Sequence, residues 1–568
     1  MKMKKIISYI ILILLPVSCN NFLDYNEYDF INKEDVLTNW NRIIGMVTNL
    51  YGTIPSGYYD VGGSMRDCAT DDAFDTDRSR SIHYMNDGRW SALRTVDNLW
   101  DNMYRGIRDA NNFFRNYDIS LIEPYRYTDN YMERIREFEL LDKQAKFLRA
   151  YFYFELIKRY RNVPFLGDEV LTQDEVNNMR QTPFEEIVNY IVSECDAIIP
   201  ALPADYTGII AGDQKGRITK GVAMALKARV LLYAASPLHN TGNDRAKWIS
   251  AARASYAIID AKIRIEEEET VREFPMYSLI DNYSNVWHIV NSGSELILGR
   301  RRGAERTFEE RNFPVGFAGA SGPSMCPTQN LVDCYRMANG KKITDPASGY
   351  SAASPYENRD PRLQRTVIVN NSSYKSRPIE IWEGGRDGLP TQDATETGYY
   401  LKKLLTENLV VDPGQTRTTG LHCIVLFRYG EVLLNYAEAM NEAFGPNDRG
   451  EFGMTAYEAV NLIRARAGMP DFETGMTQAQ FQAELRDERR VELAFEDHRF
   501  WDIRRWKIGA ETSVIRGMGI VRNENGSFTY TPRNIEGRTW NDRMNFYPIP
   551  QSELFKNPNL VQNPGWTE

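Results

Sequence analysis

GVAMALKARVLLYAA, residues 221–235, decides the fold. Val222, Leu226, Val230 and Ala234 recur every four residues and lay one apolar stripe along a helix, while Ala223 and Ala225 keep its flank thin. Small residues beside an apolar stripe let an antiparallel neighbour approach closely. That neighbour comes just before it: Thr182, Pro183 and Glu185 open a helix running to about residue 200, with Thr182 able to cap it and Pro183 suited to the first helical position. Working outward, helical spacing returns in residues 98–116 and in 140–160, where Ala145, Leu148, Phe152 and Leu156 form one stripe. It returns again in 245–263, 427–443, 455–467 and 477–505.

Helices that follow one another with short connections pack as hairpins. The chain is therefore expected to be mainly all-α, a superhelix of about four degenerate tetratricopeptide-like hairpins over residues 94–265 and 425–506. Their spacing is irregular, so no short regular repeat is read. The helical pattern breaks between about 266 and 420 into a loop-rich, mixed insertion containing GFAGASGP (316–323) and SGYSAASP (348–355), with short strands expected at 296–299 and 365–369. Residues 49–93 form a second loop-rich stretch, and 507–568 an extended tail. Long irregular segments inside a compact helical protein usually carry function.

The amino end reads as an export leader. Lys2, Lys4 and Lys5 precede an apolar run from Ile6 to Leu15 and then Pro-Val-Ser-Cys, ending at Cys19. The run is too short for a bilayer span, which needs about 20 residues. A lipoprotein peptidase cutting before Cys19 would remove 1–18, leave 19–568 as a single domain and acylate the thiol. An ordinary secretory signal with a chance cysteine is the alternative. Formal charge is −9, and −12 once the three leader lysines go, so a nucleic-acid role has no electrostatic support. Cys68, Cys195, Cys326, Cys334 and Cys423 show no CxxC spacing. Free buried thiols are expected, with a Cys326–Cys334 bridge as the alternative.

Four blocks near the carboxyl end are specific: FRYGEVLLNYAEAMNEA (427–443), AVNLIRARAGMPDF (459–472), LRDERRVELAFEDHRFWDIRRW (485–506) and FYPIPQSELFKNPNLVQNPGW (546–566). With KFLRAYFYFELIKRYRNVPF (146–165), the 216–240 segment, NRDPRL (358–363) and NNFLD after Cys19, the chain resembles the SusD/RagB family of outer-membrane nutrient-binding lipoproteins. The resemblance implies a lipid-anchored protein on the outer membrane, facing the cell exterior. It further implies that the protein sits as a lid over a SusC-like TonB-dependent transporter and captures glycan, or in some members peptide.

The residues themselves select no catalytic machinery. Glu492 and Glu496, one helical turn apart and followed by Asp497 and His498, resemble an acid pair, but a zinc motif of the HExxH kind needs a second histidine on that turn. The interleaved Arg486, Arg489, Arg490, Arg499, Arg504 and Arg505 point to ion pairs between packed helices, and Arg149, Arg229, Arg428 and Glu431 read as inter-helix clamps. An exported glycoside hydrolase is the rival class, yet no motif picks out a carboxylate pair and no GxSxG is present. No cofactor is expected, and calcium is not assigned because no DxDxDG loop occurs. For sugar binding, loop aromatics can offer flat faces and neighbouring polar groups can take hydroxyls. The candidates are Tyr58, Tyr59, Tyr84, Trp90, Trp287 and Trp382, with Asp71, Asp72 and Asn86 as polar partners.

Overall fold

The computed structural model describes residues 39–55, 57, 61–210, 212–267, 270–288, 294–322 and 324–566. The leader, Cys19, Tyr58 and Tyr59 lie outside them. The frame is a run of helices: α1 (Trp40–Thr53), α2 (Trp100–Asn116), α3 (Tyr131–Tyr160), α4 (Phe184–Ile198), α5 (Lys220–Ala235) and α6 (Arg245–Ile259), then α7 (Tyr429–Phe444), α8 (Ala456–Ala467), α9 (Gln478–Glu492) and α10 (Arg499–Arg505). Each packs on the next, α2 on α3, α3 on α4, α4 on α5, α5 on α6, α6 on α7 and α7 on α8, with α9 against α7 and α1 closing over α2 and α3. The mainly helical superhelix of tetratricopeptide-like hairpins is thus the architecture found. α7 continues directly from α6 although the whole insertion separates them in sequence.

Capping fixes several boundaries. Thr455 and Glu458 form a reciprocal capping box on α8, which stops at Gly468 in the left-handed region, and Thr477 with Gln480 does the same for the start of α9. Other boundaries differ from those read in the sequence. Thr182 caps nothing, because Gln181–Thr182 pairs as a strand with Val163–Pro164 and Pro183 takes the position before the helix. The stretch 245–263 ends as a helix at Ile259 and turns into a ribbon, Lys262–Glu267 against Thr270–Pro275. The stretch 477–505 is two helices, broken where Phe495 (φ 61°) and Asp497 (φ 66°) leave right-handed helical space. α5 is buried on nearly every side rather than along one stripe, because α4 and α6 cover opposite flanks.

Strands occur among the described residues only as two-stranded pairs. β1 (Leu296–Glu305) begins at the strand expected from 296 and runs antiparallel to β2 (Gly420–Arg428), with Arg300 opposite Ile424. At 365–369 the chain is helical to Thr366, and only Val367–Ile368 pairs, with Tyr400–Leu401. The expected extended tail holds a long hairpin, β3 (Val514–Arg522) against β4 (Phe528–Gly537), and a final short helix α11 (Gln551–Lys556).

The expected clamps are present. Arg229 on α5 reaches Glu431 on α7 at 2.5 Å, and Arg149 on α3 reaches Glu194 on α4 at 3.2 Å and Asn111 on α2 at 2.6 Å. Helix approach is close enough at Gly106 that a Cβ there would lie 2.6 Å from Phe152 and 2.7 Å from Thr53. Cys68, Cys195, Cys326 and Cys423 are buried and Cys334 half-buried, all as free thiols, so Cys326 and Cys334 are not bridged. No helix among the described residues is long and apolar enough to cross a membrane.

Candidate functional site

The two loop-rich regions meet. Ala73–Phe74 pairs with Cys326–Pro327, the Thr328 N–H donates to the Asp72 carbonyl at 3.0 Å and the Thr328 hydroxyl to the Asp71 carbonyl at 2.5 Å. Behind this seam lies a dense ionic layer that consumes the acid pair of the sequence. Arg428 bridges Glu295 (2.7 Å), Glu492 (2.8 Å) and Glu496 (2.7 Å), while Arg466 and Arg362 reach Glu492 at 2.5 and 3.0 Å and Lys403 reaches Glu496 at 2.6 Å. Burial alone would raise the Glu492 carboxyl; Arg466, Arg428 and Arg362 overcome that and hold it far below the usual carboxylate range. A carboxylate so surrounded is a structural anion and has no proton to lend.

The same layer claims most of the candidates read from the sequence. Asp71 is buried and receives Arg499 at 2.9 Å and Arg490 at 2.9 Å, and Asp72 receives Arg490 at 2.5 Å. Against the cost of burial these guanidiniums bring Asp71 down to about 2. Both aspartates therefore lock the early loop onto α9 and α10 instead of facing solvent. Asn86 is buried too, donating to the Cys68 carbonyl at 3.0 Å while its own carbonyl accepts Thr539 N–H at 2.8 Å. Trp90 is only 1% exposed, edge-on to Tyr547 and Trp566 with centroids 5.1 and 4.9 Å away. Trp287 is 4% exposed, packed edge-on to Tyr283 with the Lys403 ammonium 4.8 Å from its ring. Neither indole has a free face for a sugar. Tyr84 is half-buried with its ring beside two guanidiniums, Arg89 and Arg94, each at 5.0 Å.

Trp382 is half-buried as well, and it does not stand alone. Its half-buried ring lies 5.2 Å from Phe528, Phe528 lies 6.3 Å from Tyr530, and Tyr530 lies 5.4 Å from Tyr356. All four are partly exposed. Strand alternation creates the central pair: Phe528 and Tyr530 point to one face of β4, and Thr529 and Thr531 point away into solvent. The turn before β4 is tight, with Asn523 N–H donating to Ser527 O at 2.8 Å across Gly526 (φ 82°). Opposite it, Glu383 N–H donates to Ile520 O at 2.9 Å and hooks the Trp382 loop to β3. That loop folds on itself so closely that a Cβ on Gly388 would sit 2.3 Å from the Trp382 carbonyl oxygen. Asp387 holds its base, accepting from Arg377 through both nitrogens at 2.7 Å, from Glu380 N–H at 2.9 Å and from Gly316 N–H at 3.1 Å. Polar groups flank the rings. The Arg522 guanidinium is 5.3 Å from the Trp382 ring, the Asn370 amide donates to the Tyr530 hydroxyl at 3.3 Å, and the Tyr356 and Tyr399 hydroxyls are 3.3 Å apart.

Phe528, Tyr530 and Tyr356 were missed in the sequence. The signal for the first two was present: Phe-Thr-Tyr-Thr alternation one residue after Asn-Glu-Asn-Gly is a hairpin pattern. Among the described residues no three or more His, Cys, Asp or Glu side chains are arranged to hold a metal ion.

Residues 295–566 match the model of the SusD family, and residues 21–232 match a SusD-like model described as starch-binding associating with outer membrane. The chain belongs to the SusD/RagB family. A SusD-like protein, P25 of Formosa agariphila, is 24% identical over 99% of this chain and 98% of its own length. Among solved SusD-like structures, one from Bacteroides fragilis superposes with a TM-score of 0.73 at 24% identity, covering 94% of this chain and 98% of its own. A laminarin-binding SusD-like protein superposes with a TM-score of 0.57 at 21% identity, covering 92% of this chain and 99% of its own.

Proposed function

We propose that this SusD-family protein is a non-catalytic glycan-binding lipoprotein, anchored through Cys19 to the outer membrane and facing outward. In this reading it hands oligosaccharide to a SusC-like TonB-dependent transporter over which it acts as a lid. The observation that carries the binding part is the line Trp382–Phe528–Tyr530–Tyr356, four partly exposed rings in unbroken contact with amide, hydroxyl and guanidinium groups beside them. Sugar rings present apolar C–H faces that stack on such surfaces. A ring covering ~80 Å² of apolar area contributes about 2 kcal/mol before ordering costs, so several platforms are needed for a useful site. The laminarin-binding relative and the starch-binding description of the family model support the choice of glycan. The ion-paired state of Glu492 and Glu496 supports a role without bond cleavage, and the reading requires no cofactor. A lipid anchor at Cys19 confines the protein near its transporter and lets modest affinity suffice.

The test is affinity electrophoresis of the protein against soluble polysaccharides, with reducing ends assayed in the same tubes. Retardation by one polymer, abolished by Trp382→Ala with Tyr530→Ala and unaccompanied by new reducing ends, is the expected result. Cleavage, or retardation indifferent to those two substitutions, overturns it.

A further inference from the structure

A second cleft, of about 500 Å³, opens between α2, the short helix Gln173–Asn177 and α11. We infer that it is a separate site for a short, neutral oligosaccharide, independent of the ring row.

The α2 wall follows from sequence spacing. Asp101, Tyr104, Arg105 and Arg108 fall at i, i+3, i+4 and i+7, so four side chains able to meet a polyol share one helical face. The half-buried Tyr104 ring is held by its hydroxyl, which donates to the Pro164 carbonyl at 2.7 Å. The other two walls are tied together. The buried Asn557 amide donates to the Val176 and Met179 carbonyls at 3.1 and 2.8 Å, and Thr172 and Glu175 cap the short helix reciprocally. Such a cleft is formed before any ligand arrives, and its volume falls within the ~300–1,000 Å³ usual for small-ligand sites.

Charge and backbone narrow the class of ligand. Of the charges that line the cleft, Asp101 and Glu553 stand against Arg105, Arg108 and Lys556, and Asp109, just outside the lining, pairs with Arg108. Lys556 lies 2.7 Å from Glu553 and Arg108 lies 3.6 Å from Asp109. The balance selects neither an anion nor a cation. The walls are helical, and the strand residue that also lines the cleft, Pro164, has no N–H and gives its carbonyl to the Tyr104 hydroxyl, so no open strand edge is offered to an extended peptide backbone. What the rim does offer, carboxylates, guanidiniums and the amides of Gln173 and Asn177 above an apolar floor with Leu166 and Leu560, is what a sugar's hydroxyls and C–H faces require. Arg105 is exposed and makes no ion pair among the described residues, leaving its donors for the ligand.

The experiment is calorimetry of the full-length protein with short malto-, laminari-, cello- and xylo-oligosaccharides, in wild type and in Trp382→Ala. Each is also made with the exposed substitutions Asp101→Asn and Arg105→Ala, which leave the buried packing untouched. Binding that survives Trp382→Ala and weakens about tenfold or more with the cleft substitutions is expected. Amide exchange should slow in residues 100–108 and 551–560 when sugar is added. If every bound sugar is lost with Trp382→Ala while the cleft is intact, the second site is overturned and the ring row stands. If the surviving binding ignores Asp101→Asn and Arg105→Ala, or if exchange in those segments is unchanged, the cleft is likewise overturned. Silence of wild type across the panel overturns the cleft and the ring row together.

Discussion

The ionic layer behind the loop seam and the ring row in front of it solve opposite problems. Behind, Arg428, Arg466, Arg362, Glu295 and Glu492 are nearly free of water, and each charge is held by others from different parts of the chain. In front, Trp382, Phe528, Tyr530 and Tyr356 are half-covered and hold one another by ring contacts that tolerate loss. A buried charge without its partner is far more costly than a missing half-exposed ring. The comparison teaches that aromatic and acidic loop residues in this fold divide by depth, into an ion-paired scaffold and a half-exposed row of rings.

The largest effect should come from breaking the layer. Arg428→Ala strands Glu295, Glu492 and Glu496 and should destabilise the protein by ~3–5 kcal/mol, read as a large fall in thermal midpoint or failure to accumulate. Trp90→Ala should cost a similar ~3–5 kcal/mol, because the indole fills a pocket between Tyr547 and Trp566. Trp382→Ala should invert the pattern, with about 1–2 kcal/mol lost in stability but about tenfold or more in glycan affinity. If Trp90→Ala weakens glycan binding and leaves unfolding unchanged, the division by depth fails.

Acid should act on the ion pairs and spare the ring row. Burial works against Glu492 and Asp71, yet their arginine neighbours depress both below the ordinary 4.5 and 3.8. The stability they contribute is present above those unfolded values and is lost as pH falls through the folded ones, about 2 for Asp71. Denaturation midpoints should therefore drop below about pH 4.5. Removing Asp71 by Asp71→Asn should flatten that part of the profile.

Helix existence, the inter-helix clamps and the family were legible in the sequence because they rest on local spacing and on dense charge within single segments. The seven-residue stretch from Glu492 to His498 shows the limit. Its apolar and charged pattern continues α9 smoothly, and only the packing of the early loop against Arg490 and Arg499 goes with the break at Phe495 and Asp497. Of the loop candidates, Trp382 and Tyr84 are half-buried, whereas Trp90, Trp287, Asp71, Asp72 and Asn86 are buried. A tryptophan in a loop looks the same in sequence whether Tyr547 and Trp566, more than four hundred residues away, cover it or not. The ring row is a contact between residue 356, residue 382 and a hairpin at 528–530, and no periodicity joins segments so far apart.

The smallest effect concerns a single histidine on the insertion side. His422 on β2 lies 2.9 Å from the Glu309 carboxylate, which also accepts the Thr406 N–H at 2.9 Å, so one acid ties β2 to the loop beyond Lys403. Burial pulls the imidazole down, but the hydrogen bond and charge of Glu309, with Glu305 nearby, outweigh it and raise it above the ordinary 6.5. Lys375 feels the same carboxylate by charge while its ammonium donates to the Glu407 and Leu409 carbonyls at 2.7 and 2.6 Å, and His288 stands close enough to feel both His422 and Glu309. A histidine raised on folding contributes stability that is whole below the unfolded value and is lost as pH climbs through the folded one. The thermal midpoint should therefore slip downward slightly as pH rises from about 6 upward, and His422→Gln should remove that slope while leaving the acid limb in place. A midpoint rising over the same interval would mean that the imidazole folds neutral, and that Glu309 is held by the Thr406 N–H instead.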